Sequence, residues 1–485
     1  MSSIADKIQV IQGLNLAYSK TSLAYFLNCI VVPCSPEPKP FRLAADDWQR
    51  EALAPMVPAF EYLAGFTEKY AGPLQFMKIL ARGHNKSSEQ AWLTCWLLLA
   101  SKRTIHGYIM AADRDQGRLV IQAAKDFLAL NPWIPVTITK DRLTGPAGEV
   151  EVLPFDARSG MGLRGNYFMM DEIVHWKRQD EWTAIMSGEG KVSPCLWAVM
   201  SNAGLIDSWQ HQVYEAAKRD KNWVVFHRPG TLASWLNREK LERSRLMLPP
   251  SEAERLIDNK WIDPSEEHDY LRRAEVNACA ELGAQMQLQY RHKSWQGVSN
   301  YVGAIDYGVK RDRTALVILH LDGNKRTVID RLDVWQGSDG KPVRVAQVEE
   351  WIERTNRDFR PRVYVIDPWQ MEGTIQWCEK KGIKVEPFKF RSGQGNFELA
   401  QHLRAIVADR RLVWYPNAGA LPDDTLEDEL SGLRVKRMSY GYRFDHEVQK
   451  HDDRAFVIAA AALKATEYPF IDGNLRLPPP PNMAR

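Results

Sequence analysis

Four short apolar runs in the first half of the chain, "FMKILA", "IHGYIMAA", "YFMMDE" and "CLWAVMSNAG", each end in small or polar residues. Helical patterns separate them. Strands of this kind are buried on both faces and finish in polar loops, which predicts a parallel α/β sheet with its chemistry at the strands' C-terminal ends. A second α/β pattern opens at "YVGAIDYG" and continues through "TALVILHLDGNKRTVIDRLDVW", a strand hairpin turning at "DGN". "VYVID" adds a buried strand, and "RAFVIAAAALKAT" a late helix. At 485 residues the chain exceeds one ordinary core, so two or three domains are expected.

Residues 1–40 hold an amphipathic stretch and the proline-rich "VVPCSPEPKPF", expected as an N-terminal segment and linker to a first α/β domain over 41–205. Residues 206–297 are rich in helix formers and basic side chains, with one strand-like "WVVFHRP". They are expected as a helical lid or linker subdomain, either solvated or in contact with DNA. The second α/β domain spans 298–467, and the proline-rich residues 468–485 form a flexible tail.

Composition narrows the setting. Hydrophobic residues at 45% and charged residues at 26% describe a soluble globular chain, and a net charge of +3 neither requires nor excludes nucleic acid. The six cysteines form no C-x-x-C pair and no metal-ligand spacing, which favours a reducing, intracellular compartment. "MSSIADKIQV" lacks a signal-peptide pattern, and the longest apolar run, "AWLTCWLLLA", is too short to span a bilayer. A cytosolic protein that is neither secreted nor membrane-embedded is expected.

The segment "LQFMKIL-ARGHNKSS-EQAWLTCWLLLAS" reads as strand, polar loop and helix, the setting in which phosphates bind. It departs from the G-x-x-x-x-G-K-[ST] loop at Asn85, which replaces the last glycine. Among residues with a side chain, Asn best tolerates the left-handed backbone that this glycine supplies. Lys86 would neutralise β and γ phosphates and the Ser87 hydroxyl would ligate Mg²⁺, although "NKSS" also suits a plain helix cap. "NYFMMDEIVHW" ends an apolar strand in Asp171-Glu172. One carboxylate can hold Mg²⁺ and the next can polarise the attacking water in ATP hydrolysis. Gln49 in "DDWQREAL" is placed to read an adenine edge, or simply starts a surface helix. "MSNAG" offers small polar groups to a γ phosphate, and the glycine-rich "DARSGMGLRGN" offers Arg158 and Arg164 as arginine fingers or only as turn residues.

A second constellation lies downstream. Asp306 ends "YVGAID", Asp367 ends "VYVID", and Asp452 and Asp453 open the helix after "QKH". Carboxylates at separate element ends can converge on two hard cations, Mg²⁺ or Mn²⁺, which activate water and stabilise the leaving oxygen in phosphodiester cleavage. Each aspartate alone reads as structural, Asp453 as a helix cap and Asp306 as a turn residue. His451 and Glu447 are expected as outer partners of the same site.

Together, Gln49, "ARGHNKSS", "GLRGNYFMMDE", "MSNAG" and the aspartate series ending in "HDDR" resemble the large terminase subunit of tailed bacteriophages, over about 41–465. That family's phosphate loop takes the form R-x-x-G-K-[ST]. Arg82 matches its arginine and Asn85 departs from its glycine. The resemblance implies an α/β architecture: an N-terminal P-loop (RecA/ASCE-like) ATPase domain and a C-terminal RNase H-like nuclease domain. It implies ATP held by Gln49 and by Arg82, Gly83, His84, Asn85, Lys86, Ser87 and Ser88, Mg²⁺ at Asp171, and Glu172 as the catalytic carboxylate. Asp306, Asp367, Asp452 and Asp453 would serve the nuclease metals. It further implies double-stranded DNA, a portal protein and a small terminase subunit as partners, a homo-oligomeric ring when assembled, and work in the host cytoplasm with transient docking at the procapsid portal.

Of four basic patches, "KRDK" and "REKLERSR" read as solvated surface. "FKFRSGQG" and "RVKRMSYGYRF" suit sequence-independent phosphate contacts. Two other readings stay open: a host helicase-nuclease of repair or defence, which should carry further helicase motifs, and a DNA-binding assembly protein with a decayed ATPase. DNA-stimulated ATP hydrolysis separates the last from the first.

Overall fold

The apolar runs of the first half pair side by side, as their burial on both faces requires. The computed structural model describes residues 4–154, 163–186, 191–308, 313–338, 341–368, 371–388, 393–439, 441–447 and 450–468. The chain divides into two units, Met1–Leu241 with Glu252–Glu267, and Glu242–Ser251 with His268–Arg485.

The first unit is built on an eight-stranded sheet. Its order is Trp223–His227, Gln75–Ile79, Leu196–Ser201, Tyr167–Asp171, Ile105–Ala111, Gly148–Pro154, Arg142–Gly145, Thr137–Ile138. The first six strands are parallel and the last two turn back antiparallel. Every residue of Tyr167–Asp171 and Leu196–Ser201 is buried, which is why these strands show no polar alternation. The helix Lys86–Ala100 is buried nearly all round, so the apolar "AWLTCWLLLA" is core.

Two expectations about domain limits change. Residues before position 40 are not an appendage: Leu23, Phe26, Leu27, Ile30 and Val32 join Trp92 and Trp96 in one apolar core. The Trp96 indole donates to the Ser19 carbonyl at 2.9 Å. Nor do residues 206–297 form a unit of their own. Trp223–His227 adds an edge strand beside Gln75–Ile79, while the helix Arg273–Gln285 gives Val276 and Cys279 to the second unit's core.

The second unit carries a six-stranded sheet in the order Val385–Pro387, Tyr364–Ile366, Val302–Asp306, Arg313–Leu321, Thr327–Gln336, Leu412–Trp414. Three consecutive strands meander antiparallel, and Tyr364–Ile366 and Val385–Pro387 follow parallel to the first of them. This is the RNase H-like arrangement. The "DGN" hairpin is present as expected. Val345–Phe359 covers one face through Val348, Trp351 and Ile352. Asp453–Ala465 covers the other, and its alanines (455, 459, 460, 461, 462) are buried. Small side chains let this helix lie close to the sheet, which fixes where its first residues stand. Among the described residues, no helix is long and apolar enough to cross a membrane.

Candidate functional site

In the first unit, three adjacent parallel strands end together, with Ile79 paired to Ser201 and Asp171 to Met200. The phosphate loop, the Asp171-Glu172 pair and residues 201–204 therefore meet at one sheet edge. Asn85 is the N-cap of Lys86–Ala100 with φ 55° and ψ 26°, in the left-handed region that a glycine would supply. Gly83, at φ 81°, is a second left-handed point, and a side chain there would also press on Leu236.

Lys86 is buried and its Nζ donates to the carbonyls of Leu80 (3.0 Å) and Ala81 (3.3 Å). It also donates to Asn202 Oδ1, and lies 3.1 Å from Glu172 Oε1. The other Glu172 oxygen accepts the Asn202 N–H at 3.0 Å. Glu172 itself holds φ 47° and ψ 54°, a conformation that costs a non-glycine residue roughly 1–3 kcal/mol and persists where surrounding bonds over-determine it. Here its N–H is fixed to Met200 O at 2.8 Å, so the torsional strain sits in the backbone of the residue whose carboxylate is expected to address water.

Asp171 is buried and accepts from Gln90 Nε2 at 2.6 Å. Burial, reinforced by the Glu172 charge, pushes its carboxyl well above the usual range. A carboxyl so placed gains most from a cation beside it. The carboxylate oxygens of Asp171 and Glu172 are hard donors that fit Mg²⁺, and Ser87 stands on the first turn of the helix whose Gln90 bonds Asp171.

Gln49 is buried and lines a cavity of about 290 Å³ together with Asn85, Phe41, Trp92 and Trp235. Its Oε1 accepts the Asp46 N–H at 3.1 Å, so the carbonyl caps its own helix. The aromatic walls and the part played by residues 32–35 were not legible in the sequence, where that stretch looked like a linker.

His84 departs from its expected role. Its Nε2 accepts the main-chain N–H groups of Leu232 (2.9 Å) and Ala233 (3.3 Å), and burial lowers its pKa, keeping the ring neutral. The imidazole thus ties the phosphate loop to residues 232–235 rather than facing phosphate, and the Trp235 indole donates to Gly83 O at 3.0 Å. Arg82 is exposed, and Ser88 is half-buried on the helix's first turn. Arg164 is exposed and precedes Tyr167–Asp171, whereas Asp171 ends that strand, so the strand alone separates them by about 13 Å. Arg158 lies outside the described residues.

In the second unit, Ile305 pairs with Ile366, which puts Asp306 and Asp367 one step further on at the same end of neighbouring parallel strands. Both line a pocket of about 200 Å³ with Asp452, Asn396, Leu399, Arg443, Phe444 and Phe456. Three of the four expected carboxylates thus face one space. Asp453 does not line it; its carboxylate lies 3.4 Å from His451 Nδ1. Glu447 turns away to Arg434 at 2.9 Å.

Two neighbours escaped the sequence reading. Asp445 ends the strand Gly441–Asp445 and His446 follows it, and with Asp452 their ligand atoms lie within 4.8 Å of one another. Burial raises the Asp452 carboxyl, and the Glu447 carbonyl, then the carboxylates of Asp452, Asp445 and Asp453, raise the His446 imidazole in spite of its burial. An all-oxygen set with one adjacent imidazole fits Mg²⁺ or Mn²⁺.

Arg454 was also missed, although "HDDR" was singled out. It is fully buried and pairs with Asp424 (2.6 Å) and Glu429 (2.7 Å), while Glu429 also accepts the Ala455 N–H at 2.9 Å. This network clamps the start of the helix that presents Asp452.

No protein-family model matches the sequence, and no curated protein matches it. Solved structures do. The large terminase of bacteriophage HK97 aligns at 16% identity over 92% of this chain and 99% of that chain, TM-score 0.42. The large terminase of thermophilic bacteriophage D6E, in complex with ADP, aligns at 13% over 82% and 98%, TM-score 0.39. The large terminase nuclease of thermophilic phage G20c, with bound magnesium, aligns at 18% over 39% and 94%, TM-score 0.29. The chain resembles phage large terminases over most of its length. At identities this low, the matches assign no residue.

Proposed function

We propose that the chain is a DNA-packaging motor: an ATPase that translocates double-stranded DNA into a procapsid, joined to a metal-dependent endonuclease that cuts concatemeric genome. One observation carries this reading. A single chain holds a lysine–carboxylate phosphate-loop cluster at one sheet edge and a separate three-aspartate pocket on an RNase H-like sheet. The motif order in the sequence, which resembles that of large terminases, supports packaging as the use of both.

In the first unit, Lys86 exchanges its carbonyl and Glu172 partners for phosphate oxygens, which releases Glu172 to orient the attacking water and take its proton. Asn202, bonded to both side chains, is placed to register which partner Lys86 holds. Gln49 and the aromatic cavity orient the base. Mg²⁺, when bound, supplies charge neutralisation to the phosphates. Asp171 would hold it, kept in place by Gln90. The arginine finger is assigned to a neighbouring subunit, through Arg158 or Arg164.

In the second unit, Asp306, Asp367 and Asp452 would hold Mg²⁺ or Mn²⁺, which supplies an activated water and stabilises the leaving oxygen. Asp453 is assigned to fixing His451 beside that site. Portal protein, small terminase subunit and ring assembly in the host cytoplasm belong to the same proposal. The test is ATP hydrolysis stimulated by DNA. Lys86→Ala and Glu172→Gln should each lower it by at least about 100-fold. Parent-like turnover in both variants would sink the assignment.

A further inference from the structure

The nuclease pocket is not lined by acids alone. Arg443 stands in its wall with Asp306, Asp367 and Asp452. A guanidinium among metal-binding carboxylates has two available roles: to neutralise a carboxylate, or to meet the anion that enters with the metals.

The surroundings distinguish these roles. Arg443 reaches Asp445 through one terminal nitrogen at 2.8 Å, and the same Asp445 oxygen already accepts from Lys436 at 2.8 Å. Asp445 therefore has a cation without Arg443. The Arg443 Nε is buried and has no hydrogen-bond partner among the described residues. The planar fork is thus held at one corner, with donors left over, beside the pocket where a phosphodiester must lie.

The backbone beneath it is fixed. Tyr442 and Phe444, its neighbours along the strand, are buried in the unit's core. The Tyr442 hydroxyl donates to the Met247 carbonyl, and Phe444 packs on Tyr270 at 5.4 Å between ring centres. A side chain on so anchored a strand can aim a fork with little loss of freedom.

We propose that Arg443 is a catalytic residue of the nuclease: it binds a non-bridging oxygen of the scissile phosphate and stabilises the charge that grows there as water adds and one P–O bond breaks. The proposal rests on the nuclease reading above. The carboxylates would hold the metals on one side of the phosphate while Arg443 meets it from the other, an arrangement that suits a bidentate donor better than a point charge.

The test uses the full chain, a supercoiled plasmid and a short DNA duplex. With Mg²⁺, Arg443→Gln should lower kcat for nicking at saturating DNA by roughly 100-fold, and Arg443→Lys by an intermediate factor. With Ca²⁺ in place of Mg²⁺, duplex affinity of Arg443→Gln should fall about 3- to 10-fold, with a shallower salt dependence by about one phosphate contact. Thermal melting confirms that each variant folds, and Arg443→Lys keeps the question answerable if Arg443→Gln does not.

Parent-like nicking by Arg443→Gln, or unchanged duplex affinity and salt dependence in that variant, would overturn the proposal while leaving the nuclease reading intact. Parent-like cutting by Asp306→Asn would instead remove that reading, and the proposal with it.

Discussion

Asn85 offers the sharpest perturbation of the phosphate loop, because one substitution separates backbone torsion from side-chain chemistry. Its φ of 55° places it in the left-handed region, and its side chain makes no capping hydrogen bond to the helix it starts. A side chain with a β-carbon pays roughly 1–2 kcal/mol for that conformation, Asn somewhat less, and glycine essentially nothing. Asn85→Ala therefore biases the loop away from its observed shape by about 1 kcal/mol, some five-fold in the population able to bind phosphate. Asn85→Gly removes the bias altogether.

The assay is ATP affinity by calorimetry, together with the KM for ATP in DNA-stimulated hydrolysis. Asn85→Ala should raise both constants about five-fold, and Asn85→Gly should leave them unchanged or lower them. The side chain also lines the cavity assigned to the base, which gives a clear alternative outcome. If glycine weakens binding as much as alanine, the amide rather than the torsion is what matters, and the reasoning fails. If alanine binds like the parent, the loop does not need its left-handed residue.

Other expectations follow from the second unit. Arg454→Met removes a fully buried cation from Asp424 and Glu429 and leaves them only Arg313, which bonds Asp424 and lies 3.8 Å from Glu429; a loss of about 3 kcal/mol in that unit should appear in chemical denaturation. A change below about 1 kcal/mol would mean that the network does not anchor the helix. Burial, with Arg411 adding to it, drives the His402 pKa down to about 4. The folded state then binds fewer protons than the unfolded one between about pH 6.5 and 4, so stability falls as pH falls through that window, by at most about 3 kcal/mol. His402→Phe should flatten this slope in urea midpoints measured at pH 7 and pH 5, and an unchanged slope would place the titration elsewhere.

Much of the architecture was legible because burial leaves a plain mark on sequence. Strands covered on both faces read as unbroken apolar runs, and the alanines of "RAFVIAAAALKAT" mark a helix packed close to a sheet. The carboxylates were legible for a related reason: Asp171, Asp306 and Asp367 each stand where an apolar run stops. The torsional argument for Asn85 agrees with its backbone. What escaped was whatever depends on distant segments meeting. "VVPCSPEPKPF" carries the prolines of a linker, yet its residues line the cavity beside Gln49 because the helix before them is buried. His84 looked like part of a phosphate loop, but its partners lie 148 residues away and nothing local announces them. Arg443 stood in "RVKRMSYGYRF", read as a phosphate-contacting patch, but nothing local announced the aspartates it joins, or that Asp445 and His446 beside it approach Asp452.

The central claim is that one chain carries two separate active sites, and a crossed assay tests it directly. ATP hydrolysis and plasmid nicking are measured in parallel for Lys86→Ala and Asp306→Asn. Lys86→Ala should abolish DNA-stimulated ATP hydrolysis and retain Mg²⁺-dependent nicking, while Asp306→Asn should retain hydrolysis and abolish nicking. Full ATP turnover in Lys86→Ala, or undiminished cutting in Asp306→Asn, would contradict the account.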